Sequence, residues 1–285
     1  MKRNQKSLIH KTAFMFINSI NTLYTFAFFV LTGSGSNYGV GHFYRLKITL
    51  KVLWIYFRLK KSSASTPNEQ LVLINAALSI PKEIKGDIAE FGCYKGVSSC
   101  SLSIVAKVTG RRLLVFDSFE GLPKPETIVH NLHGKSVVPY RKGDFRGSLV
   151  EVKQNIQQFG EASVVDYIPG FFSESLPKRE NDCYALIFED ADLPESVMDV
   201  LRFAYPKLSK GGGIFFCHEA RDFEVVKLFF DKSLWVKIQN SLDAEPPGLI
   251  GGGLGLPLDI IACSNMPHFK GISVKQSCLS YFTNQ

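Results

Sequence analysis

From Asp87 onward, short apolar runs alternate with stretches of helical period. The strand-like runs are DIAEF (87–91), RLLVFD (112–117), SVVDYI (163–168), YALIFED (184–190) and GIFFC (213–217). Between and after them lie SSCSLSIVAKV (98–108), LVEVKQNIQQF (149–159), ESVMDVLRFAY (195–205) and FEVVKLFF (223–230). Strand candidates near 258–263 and 271–275 close the chain. Upstream, Thr66-Pro67-Asn68-Glu69 opens a helix: Thr66 can cap, Pro67 suits the first helical position, and Glu69 completes a capping box. Strands alternating with helices predict an α/β fold with a doubly wound, mostly parallel sheet. Ligands of such sheets sit beyond the carboxyl ends of the strands, near the point where the strand order reverses. Functional residues are therefore expected just after Phe91, Phe116, Ile168, Phe188 and Phe216. With 45% hydrophobic and 21% charged residues among 285, the chain can bury such a core, and wholesale disorder is excluded.

Charge is divided along the chain. Residues 1–61 hold ten basic side chains (Lys2, Arg3, Lys6, Lys11, Arg45, Lys47, Lys51, Arg58, Lys60 and Lys61), and the first acid is Glu69. Beyond residue 61, 23 basic side chains face 26 acidic ones. A mildly acidic body thus carries a basic, apolar arm, which is not the distribution of a nucleic-acid-binding face. The division expected is an arm over 1–65, helical in character, and one domain over 66–285. The run AFMFINSINTLYTFAFFVL (13–31) nears the length of a spanning helix but is diluted by Asn18, Ser19, Asn21 and Thr22. No A-x-A site follows it, which disfavours a cleaved signal peptide. Over 43–61 a helix would place Lys47, Lys51 and Arg58 on one face with Trp54 beside them. Two readings of 13–61 stand open: contact with an anionic membrane surface, or packing on the body or on a second subunit of a homo-oligomer. Cys93, Cys100, Cys183, Cys217, Cys263 and Cys278 form no C-x-x-C pair, which argues against a disulfide framework or zinc ribbon and for reduced thiols in a cytosolic protein.

After the first strand the chain reads Glu90-Phe91-Gly92-Cys93-Tyr94-Lys95-Gly96 and then enters a helix. This E-x-G-x-x-x-G spacing differs from the G-x-G-x-x-G of dinucleotide folds, which disfavours a nicotinamide-linked oxidoreductase. Asp117 ends the second strand 21 residues past Gly96. An acid there can accept both ribose hydroxyls of an adenosyl group.

The runs GDIAEFGCYKGVSS and LLVFDSFEGLPKP, with SLVEVKQNI, Gly170–Pro177, Asp190–Ser196 and Gly212-Gly213, resemble the macrocin O-methyltransferase-like (TylF-type) family of class I S-adenosylmethionine (SAM)-dependent methyltransferases. The likeness covers about residues 66–220. It implies a Rossmann-like sheet, a cytoplasmic setting with or without membrane association, and SAM-dependent O-methylation of a hydroxyl on a sugar or other small natural product. Glu90, Gly92 and Gly96, with Cys93 and Tyr94 between them, would line the methionine end of SAM. Asp117 would hold the ribose with Ser118 and Phe119 beside it, and Gly170 and Phe172 would approach the adenine.

Two departures from the family pattern matter. Pro194 stands where the family's D-x-D-L-Y-E-S has Tyr, and His218-Glu219 stand where an Asp-Asp pair commonly binds a divalent metal. Asp190, His218 and Glu219 are the candidate metal ligands, although imidazole suits magnesium less well than oxygen does, so the metal stays open. Methyl transfer also needs a base for the acceptor hydroxyl. Asp190 and His218 are the candidates, the latter on the strength of an ordinary imidazole pKa near ~6.5. A non-catalytic SAM-fold scaffold at a membrane is the competing function. His130 and His133, in the insertion TIVHNLHGKSVVPYRKGDF, suggest a substrate lid rather than a metal site. PPGLIGGGLGLP (246–257) suggests an acceptor-side loop hinged at Gly251, Gly252 and Gly253.

Overall fold

The computed structural model describes residues 23–31, 33–59, 63–136, 139–251 and 279–284. The apolar segment before residue 23, the strand candidates at 258–263 and 271–275, and the hinge glycines 252 and 253 lie outside the described residues.

Helical residues 23–31 (α1) and His42–Leu59 (α2) precede α3 (Pro67–Ser79). The body then runs β1 (Asp87–Phe91), α4 (Val97–Thr109), β2 (Leu113–Asp117), α5 (Leu149–Phe159), β3 (Val165–Pro169), α6 (Phe172–Ser175), β4 (Tyr184–Glu189), α7 (Pro194–Phe203), β5 (Gly213–Cys217), α8 (Phe223–Val226), α9 (Lys232–Gln239), β6 (Ile250–Gly251) and β7 (Ser280–Asn284). The seven strands lie in the order β3-β2-β1-β4-β5-β7-β6. β1 to β5 pair in parallel, while β7 runs antiparallel to both β5 and β6. This is the doubly wound, mostly parallel sheet that the alternation predicts. The strand order reverses between β1 and β4, which opens a crevice at their carboxyl ends.

Side chains sort by strand period. Ile88, Leu113, Val115, Leu186, Phe188, Ile214 and Phe216 enter the core under α2, α3 and α4. Their neighbours Ala89, Leu114, Phe116, Ile187, Phe215 and Cys217 enter the opposite core with Val197, Val200 and Trp235. Both faces being covered explains why β2, β4 and β5 are apolar almost throughout, whereas the edge strand β3 is only partly buried.

The capping box forms as expected: Thr66 Oγ1 accepts from the Glu69 N–H at 3.3 Å, and Glu69 Oε2 accepts from the Thr66 N–H at 2.8 Å. Ser148 caps α5 in the same manner, accepting from the Glu151 N–H. The residue 65/66 boundary falls at this cap, but α1 and α2 share the body's core through Phe29, Val40, Ile48, Val52 and Ile55. Arg45 ties the two helices together, donating to the carbonyls of Val30 and Val40 at 3.0 Å each. Part of the cationic face of α2 is engaged inward: Lys51 pairs with Glu161 at 3.4 Å, and the Trp54 ring lies 5.0 Å from that of Phe159. Four elements lie beyond the sequence pattern: α6, α9, β7 and β6, whose Gly251, expected as a loop hinge, pairs with Ser280. Asp231 caps α9, accepting from the N–H groups of Ser233 and Leu234, and buries Trp235.

Candidate active site

Adjacent strand ends are stitched to one another. The Gly92 N–H donates to the Phe116 carbonyl (2.9 Å), Asp190 N–H to Phe91 (2.8 Å), Gly170 N–H to Asp117 (3.0 Å) and His218 N–H to Glu189 (2.9 Å). The residues leaving β1, β2, β4 and β5 therefore meet on one rim. Gly92 has φ 89°, and a Cβ there would collide with the Asp190 carbonyl. Only glycine allows the β1 turn to pass so close to β4.

A cavity of about 370 Å³ opens at this rim, within the size range of small-molecule sites. Of the expected cofactor residues, Gly92, Tyr94, Asp117, Ser118 and Phe172 line it, as does Asp190. Cys93 lines a smaller adjoining recess shared with Tyr94, Asp190 and the α2–α3 linker Ser63-Ala64-Ser65. Glu90, Gly96, Phe119, Gly170, His218 and Glu219 stand behind or beside the wall rather than in it. Gly96 is the N-cap of α4, and Phe119 is buried.

Asp117 is gripped by backbone. Its Oδ2 accepts from the Cys93 N–H at 2.8 Å and its Oδ1 from the Phe119 N–H at 2.7 Å. Burial pushes this carboxyl up, against those hydrogen bonds, which favour the charged form. The Tyr94 N–H and the Cys93 side chain also bear on this carboxylate, which lines the cavity. Glu90 is buried beneath the same turn. Desolvation raises it to about 8, with hydrogen bonds from Ser98 and Ser99 opposing, and its Oε1 has no partner.

His218 Nδ1 lies 3.0 Å from Asp190 Oδ1 and 3.8 Å from Glu219 Oε1, and its Nε2 lies 3.8 Å from Glu69 Oε1. Burial alone would lower the imidazole pKa. The charge and hydrogen bond of Asp190, with Glu219 and Glu69, overcome this and hold it well above its ordinary value. The carboxylates around His218 therefore favour its protonated form more than an ordinary imidazole's surroundings would. Burial, with Glu189 next in effect, raises Glu219 well above the usual carboxylate range.

The ligand atoms of Asp190, His218 and Glu219 all lie within 4.8 Å of one another. Both Glu219 oxygens and His218 Nε2 lack hydrogen-bond partners. Nε2 is turned toward Glu69, so His218 Nδ1, Asp190 and the orphaned Glu219 oxygens are the atoms that fit a divalent cation, and this mixed nitrogen and oxygen set suits a transition ion better than magnesium. Glu189, Cys217 and Glu219 form the other such group among the described residues.

The long insertion closes one side. His130 is held by Glu224 through both its backbone N–H (2.7 Å) and its Nδ1 (2.8 Å), and the Phe223 N–H donates to the His130 carbonyl. His130 thus clasps the insertion to α8. Further along, Gly147 abuts the Tyr94 carbonyl so closely that a Cβ would not fit. Phe145 packs edge-on to Tyr94 at 5.7 Å and lines the cavity. Sequence reasoning also missed Glu69, Phe145, Asp192 and Glu195. Glu195 lines the cavity with neither carboxylate oxygen partnered. Tyr94, Phe145 and Asp192 have φ of 48°, 54° and 61°. Left-handed non-glycine residues concentrated on one cavity are typical of functional sites, but only coordinates reveal them. Glu69 was legible as a capping acid, yet nothing local placed it near His218.

The macrocin-O-methyltransferase (TylF) family profile matches residues 72–228. The 8-demethyl-8-(2,3-dimethoxy-alpha-L-rhamnosyl)-tetracenomycin-C 4'-O-methyltransferase of Streptomyces olivaceus is 33% identical over 133 residues, 45% of this chain and 51% of the relative. Mycinamicin III 3''-O-methyltransferase of Micromonospora griseorubida is 32% identical over 140 residues, 45% and 53% of the two chains. The chain thus spans about half the length of the curated relatives it matches. The O-methyltransferase NovP shares the fold, with a TM-score of 0.58 at 18% identity over 84% of this chain and 98% of its own.

Proposed function

Because the chain belongs to the macrocin-O-methyltransferase family, we propose that it is a SAM-dependent O-methyltransferase acting on a hydroxyl of a sugar or other small natural product. The observation that carries this reading is the pairing, across one cavity, of the backbone-clamped Asp117 with Asp190. The clamped carboxylate suits a ribose, and Asp190 is positioned to receive a proton. The rhamnosyl acceptor in the name of the Streptomyces olivaceus relative supports a sugar hydroxyl as the target class.

SAM supplies a methyl group on a positively charged sulfur. The acceptor oxygen forms a bond to that carbon as the carbon–sulfur bond breaks, its electron pair staying on sulfur. The protein's share is alignment and proton removal. Gly92 leaves room at the β1 turn for the amino-acid end of the cofactor, with Cys93, Tyr94 and the Glu90–Gly96 loop around it. Ser118, Phe119, Gly170 and Phe172 flank the nucleoside. Asp190 takes the hydroxyl proton, while His218 Nδ1 fixes the carboxylate from behind at 3.0 Å. A divalent cation held by Asp190, His218 and Glu219 would polarise the acceptor oxygen, and those donors could accept it only once His218 gives up its proton.

Calorimetry with S-adenosylhomocysteine and with NAD, followed by turnover on rhamnosylated acceptors with and without divalent cations, tests the proposal. Heat with the first ligand alone and methylated product are expected. Absence of heat with S-adenosylhomocysteine would sink the reading.

A further inference from the structure

Helix α2 is apolar on two opposite faces. Ile48, Val52 and Ile55, with Arg45 and Thr49, are buried against the body. On the other side Phe43, Leu46, Leu50 and Phe57 are exposed at 85%, 42%, 57% and 65%, and Trp54 at 46%. Steps of three and four residues put these side chains on one stripe along a helix about 27 Å long. Single exposed apolar residues need no explanation, but a continuous stripe marks a surface that something covers.

We propose that this stripe docks on an anionic phospholipid bilayer, with α2 lying in the headgroup region. Charge selects this occupant. Lys47 and Arg58 are exposed along one edge of the stripe, and Lys60 and Lys61 follow it in the sequence. No acid precedes Glu69, so the whole segment before α3 offers only positive charge. A second copy packing its α2 antiparallel on this face across a twofold axis would bring that cationic edge against itself. Lipid phosphates instead neutralise it, while aromatic and aliphatic side chains enter the boundary beneath.

The helix lies on the bilayer rather than crossing it: among the described residues no helix is long and apolar enough to span a membrane. Its orientation is set by the body. The Lys51–Glu161 pair, the Trp54–Phe159 contact and the buried aliphatic face hold α2 so that the stripe points outward. The cavity lies close along the chain, since Ala64, five residues past the end of α2, lines it.

Sedimentation of the full chain with vesicles tests this independently of any methyl transfer. Binding is expected to vesicles of phosphatidylcholine mixed with phosphatidylglycerol, to weaken with salt, and to be absent with phosphatidylcholine alone. Trp54 emission should shift to the blue on binding, while the fully buried Trp235 contributes no shift, so W54F should remove the signal. L50S/F57S should weaken binding roughly hundredfold at an unchanged unfolding midpoint, because two large apolar groups no longer enter the boundary. K47E/R58E should remove the preference for anionic lipid. Failure to sediment at low salt, or undiminished binding by L50S/F57S, overturns the proposal. So does a dimer, seen by sedimentation velocity, that L50S/F57S dissociates.

Discussion

Glu90 is a carboxyl buried without a countercharge, and its substitution by Gln should flatten the pH dependence of stability. In the folded chain its pKa is about 8, against an ordinary 4.5, chiefly through desolvation. Below pH 4.5 both folded and unfolded chains hold the proton, and Glu90 costs nothing. Between 4.5 and 8 the unfolded chain releases the proton while the folded one keeps it, so stability falls as pH rises, by ~1.4 kcal/mol per unit. By pH 7 the accumulated loss is about 3 kcal/mol, and above pH 8 it levels off. Gln cannot titrate, so this slope should vanish. The amide brings its own penalty, because Oε1 has no partner and an N–H group there is left unsatisfied, at roughly 1–3 kcal/mol. E90Q should therefore be the less stable protein at pH 5, with the gap closing or inverting by pH 8. Urea unfolding of both proteins at half-unit intervals across that range measures the difference, in which the other titrating groups largely cancel. Parallel curves for the two proteins would refute the reasoning.

The rim makes four further predictions. Gly92→Ala places a Cβ against the Asp190 carbonyl at a left-handed φ, so S-adenosylhomocysteine affinity should fall at least roughly tenfold by calorimetry; wild-type affinity would mean the turn relaxes freely. Asp117→Asn keeps the side-chain shape but turns one acceptor into a donor facing a backbone N–H, and should cost the same ligand roughly tenfold or more. An unchanged affinity would remove Asp117 from ribose binding. Asp190→Asn should lower kcat by roughly 10²- to 10⁴-fold with little change in cofactor affinity. His218→Gln, which keeps a donor toward Asp190 but loses the charge, should lower kcat less than Asp190→Asn does; the reverse order would make His218 the base.

Much of this molecule is written locally. The capping box at Thr66, the alternation that yields β1 to β5, the glycine turn after Phe91 and the acid at Asp117 are each set by a few neighbouring residues, whose periodicity and backbone limits act before any tertiary contact. Even the expectation that α2 packs on the body or meets a membrane rests on local sequence, the cationic face of Lys47, Lys51 and Arg58 among aromatic and aliphatic residues. Which side does which is a tertiary matter: Ile48, Val52 and Ile55 are buried only because α3 and α4 lie there, which leaves Leu50 and Phe57 outside. The same holds for the site. His218 reads as an ordinary imidazole in isolation, yet Asp190, Glu219 and Glu69 come to it from the end of β4, from its own loop and from the start of α3, and raise its pKa. β7 and the clasp of His130 on Glu224 likewise depend on partners far away in sequence. Propensity and pattern are short-range properties, whereas burial, charge state and strand pairing are sums over whatever the fold brings near.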